Sequence, residues 1–348
     1  MDYDADATPT PPEDPRVQKV LDLKRRYLRY PAVDLIEADL ERLVKYGALG
    51  GKTGTSANTY MLIGESGSGK TALLRRFCKR HPMRVEAERD THPVLIVEVP
   101  PKTTRKALAE AILRALGAAV PVNSTEARST VRAIEHLGRQ GVLVLVFDEA
   151  QHLVIPEKRQ LNYEAADWVK GVANKGVCAV VLAGVPDAWE AYLYNGQLRR
   201  RSFGNRRLAG FRMSDGLEWR TFVALLGAFS KVLPFPDTVD LSEKLTAMRI
   251  HRQAEGLVGR VSDFLVTATI VGLETEASSL GHATLRAAAE QLADLDDAEW
   301  VNPFDMDEPA LLEADRKAEE NAASRAGVER RTTLRRGKRA PTQRDVTG

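Results

Sequence analysis

The segment Gly64-Glu65-Ser66-Gly67-Ser68-Gly69-Lys70-Thr71 restricts the possible folds of this 348-residue chain more than any other feature of its sequence. An apolar run at residues 60–63 precedes the segment, and residues 72–77 follow it with apolar side chains at helical spacing. A glycine-rich turn between a buried strand and a helix lets successive backbone N–H groups face one anion, beside the positive end of the helix dipole. The spacing G-x-x-x-x-G-K-[ST] is therefore that of a phosphate-binding loop.

The residue types of this loop predict a nucleotide and Mg²⁺ as cofactors. Lys70 reaches the terminal phosphates, and the Thr71 hydroxyl is a ligand for Mg²⁺. We assign nucleotide binding to the whole loop, namely Gly64, Glu65, Ser66, Gly67, Ser68, Gly69, Lys70 and Thr71. The alternative, a surface loop rich in glycine and serine, is disfavoured by a second motif later in the chain.

This second motif is a fully apolar strand, residues 141–147, that ends in Asp148 and Glu149. A strand that is apolar on both faces is typical of the centre of a parallel sheet, and ligands bind at the carboxyl ends of such strands. Asp148 fits the acid that holds Mg²⁺, directly or through water, and Glu149 fits the base that polarises the attacking water. The alternative for Asp148 is to cap the following helix, and His152 fits a packing residue better than a catalytic acid.

Strands and helices alternate through the first two thirds of the chain. Further strands are predicted at 93–99 and 176–184, a short strand-like segment at 208–213, and helices at 102–116, 126–139, 165–174 and through most of 218–295. The predicted fold class is α/β: a phosphate-loop core with a parallel sheet flanked by helices, a C-terminal helical lid and disordered termini. The predicted domains are a disordered N-terminus (1–15), the core with its N-terminal helices (16–213), the lid (214–298) and a disordered basic tail (299–348).

Composition restricts the location and the partners. No apolar run approaches the roughly 20 residues that span a bilayer, and the acidic, proline-rich start does not resemble a signal peptide, so we expect a cytoplasmic protein with no membrane contact. Cys78 and Cys178 are expected to be reduced core thiols.

The net charge is only +2, but residues 321–348 carry eight Arg and Lys against two acids. Binding to nucleic acid therefore requires localised charge or charge repeated by assembly.

A basic, aromatic stretch at residues 24–31 has several interpretations. It is a solvated helix face with two packed tyrosines, Tyr27 and Tyr30, or one wall of an adenine pocket, or a contact with a neighbouring subunit. The residue pattern does not choose among these three.

The order of these elements and motifs resembles the AAA+ ATPases, and more closely the TniB/TnsC group of transposition regulators. The strings that carry the resemblance, besides the phosphate loop, are Tyr30-Pro31-Ala32, Phe147-Asp148-Glu149-Ala150-Gln151-His152-Leu153, Leu182-Ala183-Gly184-Val185-Pro186, and Gln197-Leu198 followed by arginines and Phe203. The resemblance extends over residues 16–295.

The resemblance implies an ATPase that forms ATP-bound homo-oligomers, rings or helical filaments, on double-stranded DNA. It implies a DDE-type transposase as partner and admits a target-selection protein as a further one. In such assemblies an arginine from the neighbouring subunit touches the γ-phosphate, and Arg200 and Arg201 are the candidates here. The alternative for these arginines is a basic run at a solvated helix end.

The resemblance also assigns a phosphate-sensing role to Arg260 on the lid, against the alternative of a plain surface arginine. The polar sensor that many AAA+ proteins carry at the end of the fourth strand is replaced here by Ala183-Gly184. Slow hydrolysis is therefore expected.

The resemblance also implies that the segment after the second strand contacts DNA, here Lys102, Thr103, Thr104 and Arg105, whose cations and hydroxyls suit phosphate oxygens. The alternative is a threonine that caps a helix with solvated cations beside it. The basic tail is a candidate for contact with either DNA or a partner, and the sequence does not choose between the two.

Two other functions are compatible with the sequence. One is a different AAA+ motor or loader, of the replication-initiator or secretion type. The other is a nucleotide-gated scaffold that does not hydrolyse ATP.

Overall fold

The structure is a computed structural model. It describes residues 15–47, 59–85, 90–101, 103–120, 122–155, 160–161, 163–175, 177–186, 202–235, 237–293 and 300–337. The chain forms two compact units: the first contains Tyr27–Gly210 and Leu257–Gly259, and the second contains the chain up to Arg26, Phe211–Gly256 and the chain from Arg260 onward. The first helix, α1 (Pro15–Lys24), belongs to the second unit, whereas the sequence prediction begins the core at residue 16.

The first unit is built on a parallel sheet of five strands in the order β4-β5-β8-β1-β9. Its strands are β1 (Thr59–Ile63), β4 (Val94–Glu98), β5 (Val144–Asp148), β8 (Ala179–Gly184) and β9 (Ser202–Arg207). Every residue of β1, β5 and β8 is buried, as expected for strands that are apolar on both faces. Two short antiparallel pairs accompany the sheet: β2 (Arg84–Val85) with β3 (Asp90–Thr91), and β6 (Val154–Ile155) with β7 (Gln160–Leu161).

Helices cover this sheet and complete the core of the first unit. They are α2 (Pro31–Arg42), which continues as a π-helical turn at Leu43–Gly47, α3 (Lys70–Arg80), α4 (Arg105–Ala115), α5 (Glu126–Arg139) and α6 (Tyr163–Asn174). The expected burial of Trp168 is confirmed, since it is 8% exposed and its indole N–H donates to the Thr130 hydroxyl at 3.0 Å.

The last strand differs from the sequence prediction. The segment predicted as strand-like, 208–213, follows the strand, and the strand itself is β9, within the basic run. It occupies the edge of the sheet, where Ser202 pairs with Thr59 and Arg207 pairs with Ile63. An edge strand keeps charged side chains in solvent, so arginines are compatible with a strand here although they obscure its pattern in the sequence.

The two tyrosines of the basic, aromatic stretch are packed, in agreement with the interpretation of this stretch as a solvated helix face with two packed tyrosines. The Arg76 guanidinium lies 4.6 Å from the centre of the Tyr27 ring, and Tyr30, the N-cap of α2, is 7% exposed. Burial raises the pKa of both phenols above the ordinary tyrosine value, so both stay neutral.

The second unit is mainly helical, as predicted for the lid. Besides α1 it contains α7 (Gly216–Ser230), α8 (Lys244–Ala254), α9 (Val258–Glu274, whose first two residues lie in the first unit), α10 (His282–Gln291), α11 (Glu308–Gly337) and the parallel pair β10 (Asp237–Thr238) with β11 (Ser279–Leu280).

The structure corrects the prediction of a disordered tail from residue 299, because residues 300–337 are folded. Phe304 is 1% exposed and stacks on Phe264 with a ring separation of 5.7 Å, and Leu311 is fully buried. Arg286 holds Asp305 through two hydrogen bonds of 2.7 Å. The charge excess near the C-terminus dominated the sequence prediction, whereas a few apolar anchors upstream determine the structure. Residues 338–348 lie outside the described part of the chain.

Within the described residues, no single helix combines the length and the hydropathy needed to cross a membrane. The bent pair of α8 and α9 meets the criterion on length and composition alone.

Candidate nucleotide-binding site

The predicted phosphate loop connects β1 to α3. Gly67 and Gly69 have φ angles of 80° and 95°, in the left-handed region that favours glycine. Gly69 is the N-cap of α3. Because glycine has no side chain, it cannot cap the first N–H groups of this helix with a side-chain hydrogen bond. Gly64 is also tightly enclosed, because a Cβ there would lie 2.5 Å from the Leu208 carbonyl oxygen. The loop thus has the backbone geometry of an anion-binding turn.

Lys70 is folded back into the loop. Its Nζ donates to the carbonyl oxygens of Gly64 at 2.7 Å and Glu65 at 2.9 Å, and to the Ser68 hydroxyl at 3.4 Å. Burial lowers the pKa of Lys70, and the nearby carboxylates of Asp148 and Glu149 oppose that shift. An ammonium held by neutral oxygens in a buried loop suits an anionic ligand such as a phosphate, whose charge would stabilise it.

Thr71 and Asp148 meet although 77 positions separate them in the chain. The Thr71 hydroxyl donates to Asp148 Oδ2 at 2.8 Å, and Asp148 is 5% exposed. The other carboxylate oxygen, Oδ1, accepts the backbone N–H of Glu149 at 3.0 Å. A hydroxyl and a carboxylate at the edge of a phosphate loop are the oxygen ligands that Mg²⁺ prefers, so these residues fit the cation.

Glu149 has a backbone φ of 56°, which is uncommon for a residue with a side chain. Its carboxylate accepts a hydrogen bond from the side-chain amide of Gln151, whose oxygen in turn accepts the Val185 N–H at 3.4 Å. The sequence pattern indicates no role for Gln151 beyond its place in the family string. The available signal was its position, two residues after an acid at the end of a buried strand.

Arg260 lies in the first turn of α9, directly after Gly259. Gly259 packs on the phosphate loop, because a Cβ at this glycine would lie 2.3 Å from the Gly67 carbonyl oxygen. The Arg260 guanidinium pairs with the Glu255 carboxylate at 2.5 Å. Glu255 is the C-cap of α8 and has a φ of 51°. The phosphate-sensing role of Arg260 remains a prediction.

The predicted DNA-contact segment has internal roles where it is described. The Thr103 hydroxyl donates to the Pro100 carbonyl at 2.6 Å, and the Thr104 hydroxyl caps α4 by accepting the Ala107 N–H at 3.1 Å. Arg105 donates to the Glu164 carbonyl at 3.2 Å. Lys102 lies outside the described residues, as do the candidate finger arginines Arg200 and Arg201. DNA contact by this segment therefore stays a prediction, and the two threonines already have hydrogen-bond partners.

Three solved structures have a fold similar to that of this chain. The chain is similar to Cdc6p from Pyrobaculum aerophilum, with 15% identity, a TM-score of 0.55, and coverage of 76% of this chain and 68% of that one. It is similar to the Aeropyrum pernix ORC1 protein, solved in complex with DNA, with 17% identity, a TM-score of 0.56, and coverage of 79% and 68%. It is also similar to the Aeropyrum pernix ORC2 protein, solved as ADPNP-ADP complexes, with 15% identity, a TM-score of 0.51, and coverage of 74% and 68%. These similarities confirm the predicted α/β fold of the AAA+ ATPases.

A family model identifies the chain more narrowly than its fold does. The model of the bacterial TniB protein family matches residues 19–213, more than half of the chain. The chain therefore belongs to the TniB family, as the sequence resemblance indicated. No curated protein sequence matches the chain.

Proposed function

We propose that this protein binds and slowly hydrolyses ATP, and that its ATP-bound form assembles on double-stranded DNA as a regulator of transposition. The observation that carries the proposal is the 2.8 Å hydrogen bond between the Thr71 hydroxyl and the Asp148 carboxylate, at the end of a loop that also holds Lys70. This constellation places a phosphate-binding turn, two oxygen ligands and the adjacent Glu149 at one edge of the sheet.

In this proposal, Lys70 and the loop N–H groups bind the phosphates, and Thr71 and Asp148 hold Mg²⁺. The cation, when bound, neutralises charge on the β- and γ-phosphates. Glu149 orients a water molecule and accepts its proton as the water oxygen bonds to the γ-phosphorus. The bond from that phosphorus to the bridging oxygen breaks, and ADP and phosphate leave.

In this proposal a second copy of the chain completes the site, as the family resemblance implies. We assign Arg200 and Arg201, which lie outside the described residues, to the nucleotide of a neighbouring subunit, where such an arginine raises the hydrolysis rate on the order of 10³-fold.

DNA binding in this proposal is sequence-independent. Membership of the TniB family supports it, and Lys102 and Arg105 are the cations we assign to phosphate contacts. Because the net charge is only +2, affinity comes from repetition of the contact along an oligomer, and salt weakens it strongly. A DDE-type transposase, and in some contexts a target-selection protein, are the partners proposed from the family resemblance.

The test is retention of the full chain on duplex DNA, with imaging of the complexes, in ATP, ADP or no nucleotide. We expect ordered oligomers on DNA in ATP, lost at high salt, and absent for Lys70→Ala. Lys79→Ala is the matched control, since it removes an exposed lysine near the other end of the same helix. The absence of any DNA-bound oligomer in ATP would refute the proposal.

The Glu149→Gln variant separates hydrolysis from binding. We expect it to bind ATP and DNA as the wild type does but to stay assembled for longer, because hydrolysis triggers release. Equal lifetimes for the two proteins, with no phosphate released by either, would instead favour the scaffold that does not hydrolyse ATP.

A further inference from the structure

One peptide group connects the phosphate loop with Glu149. The carbonyl oxygen of Gly184, at the end of β8, accepts the N–H of Gly64, the first residue of the loop, at 3.1 Å. The N–H of the same peptide group belongs to Val185 and donates to Gln151 Oε1 at 3.4 Å. Gln151 Nε2 then donates to Glu149 Oε2. Three consecutive hydrogen bonds thus lead from the phosphate loop to the proposed base.

The orientation of the Gln151 amide is determined by its two partners. A carboxylate only accepts hydrogen bonds, so the NH₂ group must face Glu149. A backbone N–H only donates, so the amide oxygen must face Val185. An ionised acid or a hydrocarbon side chain at position 151 could not make both bonds.

Gly184 provides the space that this arrangement needs. A Cβ at Gly184 would lie 3.0 Å from Gln151 Oε1 and 3.2 Å from the Gln151 backbone nitrogen. The end of β8 therefore carries no side chain of its own and instead receives the amide of Gln151. Glu149 also has a left-handed backbone with a φ of 56°, a conformation that the surrounding structure must hold in place.

We propose that Gln151 is the positioning residue for Glu149, and that it links the carboxylate to the phosphate loop through the Gly184–Val185 peptide group. The inference rests on the proposed ATP hydrolysis. Gln151 itself contacts no atom of the loop among the bonds described, so its role is to orient Glu149 and not to hold nucleotide. Its removal should lower kcat and leave nucleotide affinity unchanged.

The test compares the full-length wild type with Gln151→Ala, Gln151→Glu, Gly184→Ala and Glu149→Gln, measuring kcat, KM and ADP affinity. For Gln151→Ala we expect a kcat lowered about 10- to 100-fold, the loss expected when a reacting group is displaced by about 1 Å, with unchanged ADP affinity. Gln140→Ala is the matched control, because Gln140 also donates its side-chain amide, to the Leu116 carbonyl at 3.2 Å, but away from the site. It should keep the wild-type kcat.

Two further measurements distinguish positioning from a general structural effect. Gln151→Glu keeps the size of the side chain but has no N–H group to donate to Glu149. It should therefore lose kcat as Gln151→Ala does, again with unchanged ADP affinity. Gly184→Ala and Gln151→Ala disturb the same link, so the double variant should be no slower than the slower single variant.

The outcomes separate this inference from the proposed function. If Gln151→Ala and Gln151→Glu keep the wild-type kcat while Glu149→Gln is inactive, the positioning role is wrong and the proposed hydrolysis stands. A loss of kcat that merely follows a loss of ADP affinity also overturns it. If the wild type releases no phosphate from ATP in the presence of DNA, the proposed function itself fails.

Discussion

Substitution of Gly259 by alanine tests whether the start of α9 must pack directly on the phosphate loop. The added Cβ would lie 2.3 Å from the Gly67 carbonyl oxygen and 3.3 Å from the Gly69 nitrogen. Ordinary contact requires a separation of about 3.5 Å, so helix and loop must move apart by about 1 Å. Overpacking of this kind costs about 1–3 kcal/mol. If the loop moves, nucleotide affinity falls by about 5- to 150-fold.

The assay is ADP titration together with urea unfolding. The matched control is Gly171→Ala, a helical glycine in α6 whose added Cβ would meet no atom within 4 Å. This control should bind ADP normally and be more stable by about 0.5–1 kcal/mol, because alanine favours the helix. If Gly259→Ala matches Gly171→Ala in both ADP affinity and stability, the close packing on the loop is wrong.

Three further predictions concern the fold. Phe304→Ala should cost about 3–5 kcal/mol, because the ring is 1% exposed and stacks on Phe264. An unchanged midpoint in thermal unfolding would mean that Phe304 does not pack as described. Burial raises the pKa of the Cys178 thiol from 9.0 to about 12, so only the unfolded chain ionises between these values and the free energy of unfolding should fall as pH rises across them. Cys178→Ala should have a shallower slope there, and an equal slope would contradict the shift. Arg206→Ala removes the 2.7 Å partner of buried Asp39, which keeps bonds from Arg42 and Tyr60, and should cost about 0.5–1.5 kcal/mol in urea unfolding. No change would mean that the pair is solvated.

The sheet and the phosphate loop could be predicted because their determinants are local. Strands buried on both faces appear as continuous apolar runs, and glycine spacing defines the loop. The approach of Thr71 to Asp148 also follows, since β1 and β5 are parallel strands whose carboxyl ends lie at one edge with β8 between them.

Features that depend on tertiary packing could not be predicted. Strand β9 is obscured by its arginines, and the partner of Arg206 is a carboxylate 167 positions away. The φ of 56° at Glu149 has no local signal in the sequence. The folded C-terminal segment depends on single buried residues such as Phe304, which a charge-rich composition conceals.

The central claim is that each ATP site is shared by two copies of the chain, and subunit mixing tests it most directly. Lys70→Ala lacks the phosphate-binding lysine but keeps its arginines, and the double variant Arg200→Ala/Arg201→Ala has the opposite defect. We predict that neither protein alone releases phosphate from ATP on duplex DNA, and that a mixture does, because one copy supplies the loop and the other the guanidinium. An inactive mixture beside an active wild type would contradict the shared site.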